Sequence, residues 1–295
     1  MNPEKCFVCP RNCSIDREKG TGFCGVGNKP VIAKAFLHKW EEPCISGTNG
    51  SGTVFFSGCN LKCIYCQNYS ISQECFGKQV TVEKLGEIYL SLKEKGAHNI
   101  NLVSPTQFIP QIRESLEGVK NLEIPVIYNT NGYENTASIK QLKGYINVYM
   151  PDLKYIDSAY SLKYSGAKDY FERASAGLKE MYEQVGGAEF DDNGLIIKGL
   201  VIRHLILPGL SSESINVLDW LKANMPQDVI VSVMSQYTPY YKAESCPEIN
   251  RRITRWEYDR VVRHFLRLEF EYGYFQERAS ACEEYIPDFN LEGID

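Results

Sequence analysis

The sequence has no run of about 18 apolar residues, the length that a membrane-spanning helix requires. It also has no excess of positive charge: the net charge is −5 over 295 residues, which gives no general attraction to nucleic acid or anionic membranes. Histidine is scarce, with four residues and no metal-ligand spacing. The first residues, Met1 to Cys6, lack the apolar stretch of a secretion signal. We therefore expect a cytoplasmic protein without membrane or nucleic-acid partners.

Cysteine, in contrast, is abundant, with 11 residues. Because the cysteines are closely spaced and the chain is expected in the cytoplasm, metal thiolates are favoured over disulfides. Cys59, Cys63 and Cys66 form a C-x3-C-x2-C pattern directly after the apolar run 53–56. Three thiolates can hold three irons of a 4Fe–4S cluster and leave the fourth open, whereas structural zinc needs a fourth ligand that is missing nearby. The pattern favours such a cluster over a chance trio of structural thiols.

The same pattern, with Tyr65 just before the last cysteine, resembles the radical S-adenosylmethionine (radical SAM) enzymes. In that superfamily the amino and carboxylate groups of SAM chelate the open iron. The resemblance implies that the reduced cluster cleaves SAM to methionine and a 5′-deoxyadenosyl radical, which abstracts a hydrogen atom from a substrate. It also implies an oxygen-labile cluster and therefore anaerobic or well-reduced conditions.

A second group, Cys6-x2-Cys9-x3-Cys13 followed by Cys24, lies among glycines and a proline. Four thiolates would close a tetrahedral zinc site, which is our first interpretation. An auxiliary iron–sulfur cluster and reduced thiols without metal are the alternatives, because thiolates alone do not select the metal. The spacing differs from the radical SAM motif, so we expect no SAM here. The cysteines interpreted as structural are Cys44, Cys75, Cys246 and Cys282.

From residue 53 onward, short apolar runs alternate with amphipathic helical patterns, which is typical of βαβ units and a parallel sheet. Six such units predict an α/β fold, an open partial (β/α)6 barrel of the TIM type, with the run 31–37 as a strand beside it. We expect a cysteine-rich metal-binding extension (1–50), the barrel (51–270) and a C-terminal tail (271–295) that packs on the barrel. The predicted barrel strands are 53–57, 99–104, 125–129, 146–150, 199–206 and 229–234. The predicted helices are 81–95, 107–118, 134–143, 168–186, 212–223 and 254–270.

Polar residues follow these strands, at the carboxyl edge where parallel α/β folds place their sites. The segments 128–133 (Tyr-Asn-Thr-Asn-Gly-Tyr), 149–155 (Tyr-Met-Pro-Asp-Leu-Lys-Tyr) and 203–209 (Arg-His-Leu-Ile-Leu-Pro-Gly) are three such strand ends. They resemble the strand-end motifs of pyruvate formate-lyase activating enzyme and its glycyl-radical-activating relatives. The resemblance implies one shared SAM site formed by the three segments.

The resemblance also implies individual SAM contacts. Asn131 would contact polar groups of SAM, Lys154 would face its carboxylate, and Arg203 would engage its ribose or carboxylate region. Ser104 follows the second strand, where relatives hold the amino group of SAM with a Gly-Gly-Glu-like segment, so this contact is inferred from position. Ser104 or Thr106 would in addition cap the following helix.

A cation site beside the SAM carboxylate is a further implication of the resemblance. Asp152, Thr130 and the carbonyl of Met150 would line it. Asn129 stands where the relatives have an aspartate, which removes one hard anionic ligand. The alternative for Asp152 and Lys154 is an exposed salt pair of little energetic weight.

Three other features have weaker signals. His204 is as consistent with a core histidine as with a site residue. The long polar connection 235–254 is the candidate substrate contact, since its tyrosines offer rigid surface and its arginines could hold an acidic segment, but a solvated loop is the alternative. Glu41 and Glu42 are interpreted as a solvated loop, with a role in the site as the less supported alternative.

Two enzymatic functions are consistent with these features. One is the activation of a glycyl radical enzyme, which would be a protein substrate. The other is radical modification of another peptide, a nucleoside or a small metabolite. A metal-binding scaffold without catalysis is the alternative from a different class. The family resemblance further implies a reducing partner of the flavodoxin or ferredoxin type.

Overall fold

The computed structural model describes residues 5–276 and 287–294. The structural role predicted for Cys282 lies outside these residues. The strands are β1 (Val31–His38), β2 (Ser51–Phe56), β3 (Lys78–Gln79), β4 (Ile100–Val103), β5 (Val126–Thr130), β6 (Val148–Pro151), β7 (Glu189–Phe190), β8 (Ile196–Leu205), β9 (Ile230–Met234) and β10 (Tyr272–Phe275). The helices are α1 (Pro43–Ser46), α2 (Tyr69–Ser72), α3 (Val82–Glu94), α4 (Ile109–Gly118), α5 (Thr136–Ile139), α6 (Ser158–Ser165), α7 (Tyr170–Val185), α8 (Ser211–Asn224) and α9 (Arg255–Arg267).

The strands form one large sheet in the order β10-β9-β8-β6-β5-β4-β2-β1-β3, with β7 paired to β8. The six predicted barrel strands correspond to β2, β4, β5, β6, β8 and β9, and neighbours among them pair in parallel. The predicted α/β fold with an open parallel sheet is therefore confirmed. β10, which was predicted only as tail, pairs in parallel with β9 and extends the sheet by one strand.

The two ends of the sheet carry the remaining segments. β1 pairs antiparallel with β2, so the predicted strand at 31–37 does lie beside the parallel strands. Residues 287–294 pack along β1, where Leu291 N donates to Ala33 O at 3.1 Å and Ala35 N donates to Glu292 O at 2.8 Å. The described parts of the tail thus contact the sheet near both of its ends.

Burial on both faces explains why the strand sequences are nearly continuous in apolar residues. Every residue of β2, β4, β5, β6 and β9 is buried. Helices cover the outer face; α3, for example, buries Leu85, Ile88 and Leu92. In the described part of the chain, no helix is long and apolar enough to cross a membrane.

The start of α4 differs from the prediction. Neither Ser104 nor Thr106 caps this helix, because a 3-10 turn precedes Ile109 and the N-cap residue, Phe108, makes no side-chain bond. Thr106 instead donates to Glu134 Oε1 at 2.6 Å. Ser104 adopts a left-handed backbone with a φ of 57°. The buried carboxyl of Glu134 thus recruits the hydroxyl that was expected at the helix end.

Candidate functional site

The loop after β2 brings the cluster cysteines (Cys59, Cys63 and Cys66) to the carboxyl edge of the sheet, where all three line one cavity. Gly58 permits the sharp exit from β2. Its φ is 82°, and a Cβ at this position would meet the carbonyl oxygen of Cys24 at 2.7 Å. The motif cysteines therefore share one site, and a glycine is needed to place them there.

Each cluster cysteine has a hydrogen-bonding partner at its sulfur. Asn131 Nδ2 lies 3.3 Å from Cys59 Sγ, the Ser165 hydroxyl lies 3.1 Å from Cys63 Sγ, and Ser72 Oγ lies 3.2 Å from the third sulfur. Burial raises the pKa of the Cys59 and Cys63 thiols to about 11. A thiolate at these buried positions therefore has to be stabilised by nearby positive charge and by hydrogen-bond donors. Iron would supply the charge and these side chains supply donors, so the triad fits a 4Fe–4S cluster.

A chain of hydroxyl groups supports the cysteine loop from behind. Ser165 Oγ lies 3.2 Å from the Tyr155 hydroxyl, which lies 2.5 Å from the Tyr65 hydroxyl. Burial raises the pKa of both tyrosines well above the usual value, so both stay protonated. The aromatic residue of the cysteine motif, Tyr65, thus fixes the loop against the α6 region.

Asp152, just after β6, lies between two cations. Arg203 Nε lies 3.1 Å from Asp152 Oδ1, and Lys154 Nζ lies 2.5 Å from Asp152 Oδ2. The three side chains are about 15% exposed, so this is a buried network and not an exposed salt pair. Burial opposes ionisation, but Lys154 and Arg203 hold the pKa of Asp152 below its usual range. Lys154 and Arg203 each pair with one carboxylate oxygen of Asp152. Asp152 therefore offers the predicted cation site no oxygen that is free of a protein partner.

Arg203 also binds a residue that was interpreted as part of a solvated loop. Its Nη1 donates to Glu41 Oε2 at 3.2 Å, and its Nη2 donates to Asn129 Oδ1 at 2.6 Å. Glu41 Oε1 accepts from Asn101 Nδ2 at 3.1 Å. The solvated-loop interpretation of Glu41 was wrong, and its alternative, a place in the site, agrees with the structure, because the β1–α1 connection folds over the sheet edge. The Arg203 contact spans 162 positions, and no local pattern indicates it.

The end of β5 holds two of the predicted SAM contacts. Asn131 is fixed beside Cys59, because its Nδ2 also donates to Asn60 Oδ1 at 2.8 Å and its Oδ1 accepts from Tyr133 N at 2.9 Å. Thr130 lines the cavity, but its hydroxyl donates to the buried carboxyl of Glu134. The amide of Asn131 is thus oriented by three neighbours before any ligand binds.

One cavity of about 250 Å³ unites these groups at the carboxyl edge of the sheet. It combines three thiols, two cations and several amide and hydroxyl groups, which suits a cluster together with the amino, carboxylate and ribose groups of SAM. The predicted residues that line it, besides the cluster cysteines, are Ser104, Asn129, Thr130, Asn131, Asp152, Lys154 and Arg203. Gln236 and Tyr237, from the connection predicted to contact the substrate, also line it, and so do His38, Trp40 and Met234, which were not predicted.

His204 does not line this cavity. Its ring nitrogens lie 2.7 Å from Leu153 O and 2.9 Å from Ser214 Oγ. Burial lowers the pKa of His204 to about 4, so the ring is neutral. Of the two interpretations, the structure supports the core histidine.

The connection 235–254 packs over the cysteine loop. The ring of Tyr237 meets that of Tyr65 edge-on, with centroids 5.8 Å apart. Arg251, which was expected to be available to an acidic segment, pairs instead with Glu257 of α9 at 2.8 Å. The connection therefore contributes Tyr237 to the cavity, whereas Arg251 binds a glutamate in the first turn of α9.

The N-terminal cysteines lie next to the cluster loop: Cys59 N donates to the carbonyl of Cys24 at 3.2 Å. Burial raises the pKa of the Cys9 thiol to about 12. In the described residues, all cysteines are free, and no three His, Cys, Asp or Glu side chains converge on one metal-ion position. A 4Fe–4S cube does not require such convergence, since each thiolate binds a different iron, but zinc does. The site formed by Cys6, Cys9, Cys13 and Cys24 therefore stays a prediction.

The sequence of the chain matches a known protein family and a relative. The model of the radical SAM superfamily matches residues 53–221. A relative from Methanocaldococcus jannaschii, the uncharacterised protein MJ0674, is 31% identical over 271 residues, which cover 88% of this chain and 73% of the relative. The family match thus includes the cluster cysteines and every predicted SAM contact.

Solved structures share the fold. SuiB of Streptococcus suis bound to S-adenosylmethionine aligns with a TM-score of 0.54 and 17% identity over 77% of this chain. A mutant of spore photoproduct lyase aligns with a TM-score of 0.51 and 12% identity, over 75% of this chain and 74% of the lyase. The chain spans about half the length of SuiB (50%). On the evidence of the family match and the cysteine site, the chain belongs to the radical SAM superfamily, whose members bind a 4Fe–4S cluster and S-adenosylmethionine.

Proposed function

We propose that this radical SAM enzyme removes a hydrogen atom from a protein or peptide substrate, and that activation of a glycyl radical enzyme is the first specific candidate. The observation that carries the proposal is the single cavity lined by the cluster cysteines, by Asn131 and by the buried network of Asp152, Lys154 and Arg203. When bound, the cluster and SAM supply a 5′-deoxyadenosyl radical that can abstract hydrogen.

The residues of the chain would bind and orient the cofactors. The cluster cysteines would hold three irons, and the donors at their sulfurs would stabilise the thiolates. Lys154 would face the SAM carboxylate as an ammonium: burial opposes its charge, but Asp152 raises the pKa of Lys154 above its usual value. Arg203 would hold Asp152 in place while lining the ribose side of the cavity.

One wall of the cavity is apolar, and it would limit side reactions of the substrate. Met234, Leu205 and the ring of Tyr237 line the cavity beside the polar network. Tyr237 is held by the bond from its hydroxyl to Ile249 O at 2.8 Å. A substrate segment seated against this wall would displace water from the reacting hydrogen.

Glycyl radical activation is supported by the three strand-end segments 128–133, 149–155 and 203–209, which resemble those of glycyl-radical-activating enzymes and contribute residues to one cavity. A second candidate, radical modification of another peptide, is favoured by the fold shared with SuiB, which has been solved bound to its precursor peptide SuiA (TM-score 0.53, 16% identity, covering 46% of SuiB). We further propose a flavodoxin- or ferredoxin-type protein as the reductant.

Isotope transfer tests the substrate class. The reconstituted protein, SAM and dithionite are mixed with a candidate glycyl radical enzyme that carries dideuterated glycine, and with the same enzyme at natural abundance. We expect deuterium in the 5′-deoxyadenosine and a glycyl signal in the electron paramagnetic resonance spectrum. If peptides give deuterium transfer but no glycyl radical enzyme does, the second candidate replaces the first. Transfer only from non-peptide substrates contradicts both.

A further inference from the structure

A second cavity, of about 240 Å³, adjoins the first at the ends of β8, β9 and β10. A group bound there would lie directly beside the candidate SAM site. The residues that line both cavities are Trp40, Glu41, Arg203, Met234 and Gln236. The residues that line only the second are Glu42, Pro43, Ser232, Tyr274, Phe275 and Gln276.

Glu42 is the feature of this cavity that requires explanation. The residue is 9% exposed, and its Oε2 is buried without a hydrogen-bond partner among the described residues. The carboxyl has one side-chain bond, with Ser232. Its interpretation as part of a solvated loop was therefore wrong. Buried carboxyl oxygens normally have hydrogen-bond partners, and the Glu42 side chain, which carries this unpartnered oxygen, lines the second cavity.

The charges around Glu42 indicate the sign of that ligand. Among the described residues that line the two cavities, three carboxyl groups (Glu41, Glu42 and Asp152) adjoin two cations, Arg203 and Lys154. Each guanidinium nitrogen of Arg203 donates elsewhere: Nε to Asp152, Nη1 to Glu41 and Nη2 to Asn129. Arg203 acts on Glu42 only through space. Burial raises the pKa of Glu42, although Arg203 opposes this shift, so a further positive charge nearby would stabilise the ionised carboxylate.

We propose that the second cavity binds a positively charged nitrogen of the substrate, a primary ammonium or a guanidinium, with Glu42 as its carboxylate partner. A cation at this position would donate to the Glu42 carboxyl and stabilise its ionised form. Trp40 and Tyr274 add aromatic surface to the cavity, and aromatic rings attract cations. For a peptide substrate, the ligand is a lysine or arginine side chain or an amino terminus placed next to the abstracted hydrogen.

This inference deepens the proposed function, since it names a part of that substrate, but its test measures binding and not turnover. Nα-acetyl-lysine amide and its neutral analogue Nα-acetyl-norleucine amide are titrated by calorimetry into the reconstituted full chain with SAM. We expect the lysine probe to bind about tenfold more tightly, as one charge-assisted contact allows. Glu42→Gln should abolish the preference, and Glu244→Gln, an exposed glutamate outside both cavities, should retain it.

Equal affinity of the two probes, no binding of either, or a preference that survives in Glu42→Gln overturns the inference. Melting temperatures check that the variants are folded. A crystal structure of the unmodified protein with the lysine probe is independent of any variant: the ammonium within hydrogen-bond distance of Glu42 supports the site, and any other position contradicts it. A preparation that prefers the lysine probe but never cleaves SAM would disprove the proposed enzyme alone. One that cleaves SAM without this preference would disprove the cation site alone.

Discussion

Arg203 and Asp152 join the ends of β8 and β6 through both side chain and backbone. The side chains meet at 3.1 Å, Nε to Oδ1, and an isolated parallel bridge pairs the same two residues. Leu153 N donates to Arg203 O at 2.8 Å. The sheet itself therefore positions the charged network, and Lys154, two residues after Asp152, is held where it faces the cluster cysteines.

Loss of the Arg203 side chain should destabilise the fold strongly. Arg203→Gln leaves Asp152 and Glu41 without their shared cation, and breaking a buried pair in this way costs about 3 kcal/mol or more. Arg203→Lys should recover part of this loss, because it keeps the charge but not the planar fork. Urea unfolding measures the difference. The matched control is Arg113→Gln, which breaks the exposed ion pair between Arg113 and Glu117. This variant should lose about 0.5 kcal/mol of unfolding free energy or less. Equal losses in the two glutamine variants would contradict the buried network.

The donor at Cys59 should tune the cluster. Asn131→Leu removes the 3.3 Å contact from Nδ2 to Cys59 Sγ. A sulfur with fewer donors stabilises the reduced cluster less, so the reduction potential should fall, by on the order of tens of millivolts. A redox titration followed by electron paramagnetic resonance gives the value. Asn193→Leu, at an exposed turn, is the control and should leave the potential unchanged; an unchanged potential in Asn131→Leu would remove the role assigned to this amide.

Glu134 should make stability depend on pH. Burial raises the pKa of its carboxyl from the ordinary value of 4.5 to about 7. Because the folded state binds the proton more tightly, this group's stabilisation is complete below pH 4.5 and is lost as the pH rises to about 7. The loss amounts to about 3 kcal/mol. Glutamine in Glu134→Gln cannot titrate. As the pH rises from 4.5 to about 7, the unmodified protein should therefore lose unfolding free energy relative to the variant. A difference that is constant between pH 5 and 8 would show that Glu134 does not titrate there.

The N-terminal cysteines should bind a metal of their own. The four sulfurs do not converge in the described structure, but metal binding can draw its ligands together. We therefore expect about one zinc and about four irons per chain in the reconstituted protein. Replacing Cys6, Cys9, Cys13 and Cys24 by serine should remove the zinc and leave the iron, whereas Cys246→Ser should change neither. About eight irons without zinc would identify an auxiliary cluster. Four irons and no second metal would leave these residues as reduced thiols.

The fold and the main site were predictable because both depend on local patterns. Parallel strands buried on two faces leave apolar runs, and the ends of these runs lie at the functional edge of the sheet. The resemblance of three strand-end segments to glycyl-radical-activating enzymes then singled out Asn131, Asp152, Lys154 and Arg203, which line one cavity. β10 was missed as a strand because it is short and lies at the edge of the sheet. Its residues, Tyr272–Phe275, alternate between half-buried and exposed, so the segment lacks the long apolar run of the central strands.

The sequence gives only a weak signal for the two glutamates of the β1–α1 connection. Glu41 and Glu42 precede Pro43 in a polar stretch, and polar stretches between elements are usually solvated. Their burial results from long-range folding of the connection over the ends of β8 and β9. His204 was ambiguous for the same reason: its partners, Leu153 O and Ser214, are neighbours only in the folded chain.

Cleavage of S-adenosylmethionine tests the central claim most directly. The purified chain is reconstituted with iron and sulfide, reduced with dithionite and incubated with SAM without oxygen, and the release of 5′-deoxyadenosine is quantified. We predict release by the unmodified protein and none by Cys63→Ser, with Cys246→Ser as a control that behaves as the unmodified protein does. No release from a preparation with an intact cluster, or equal release from Cys63→Ser, would contradict the assignment of this site.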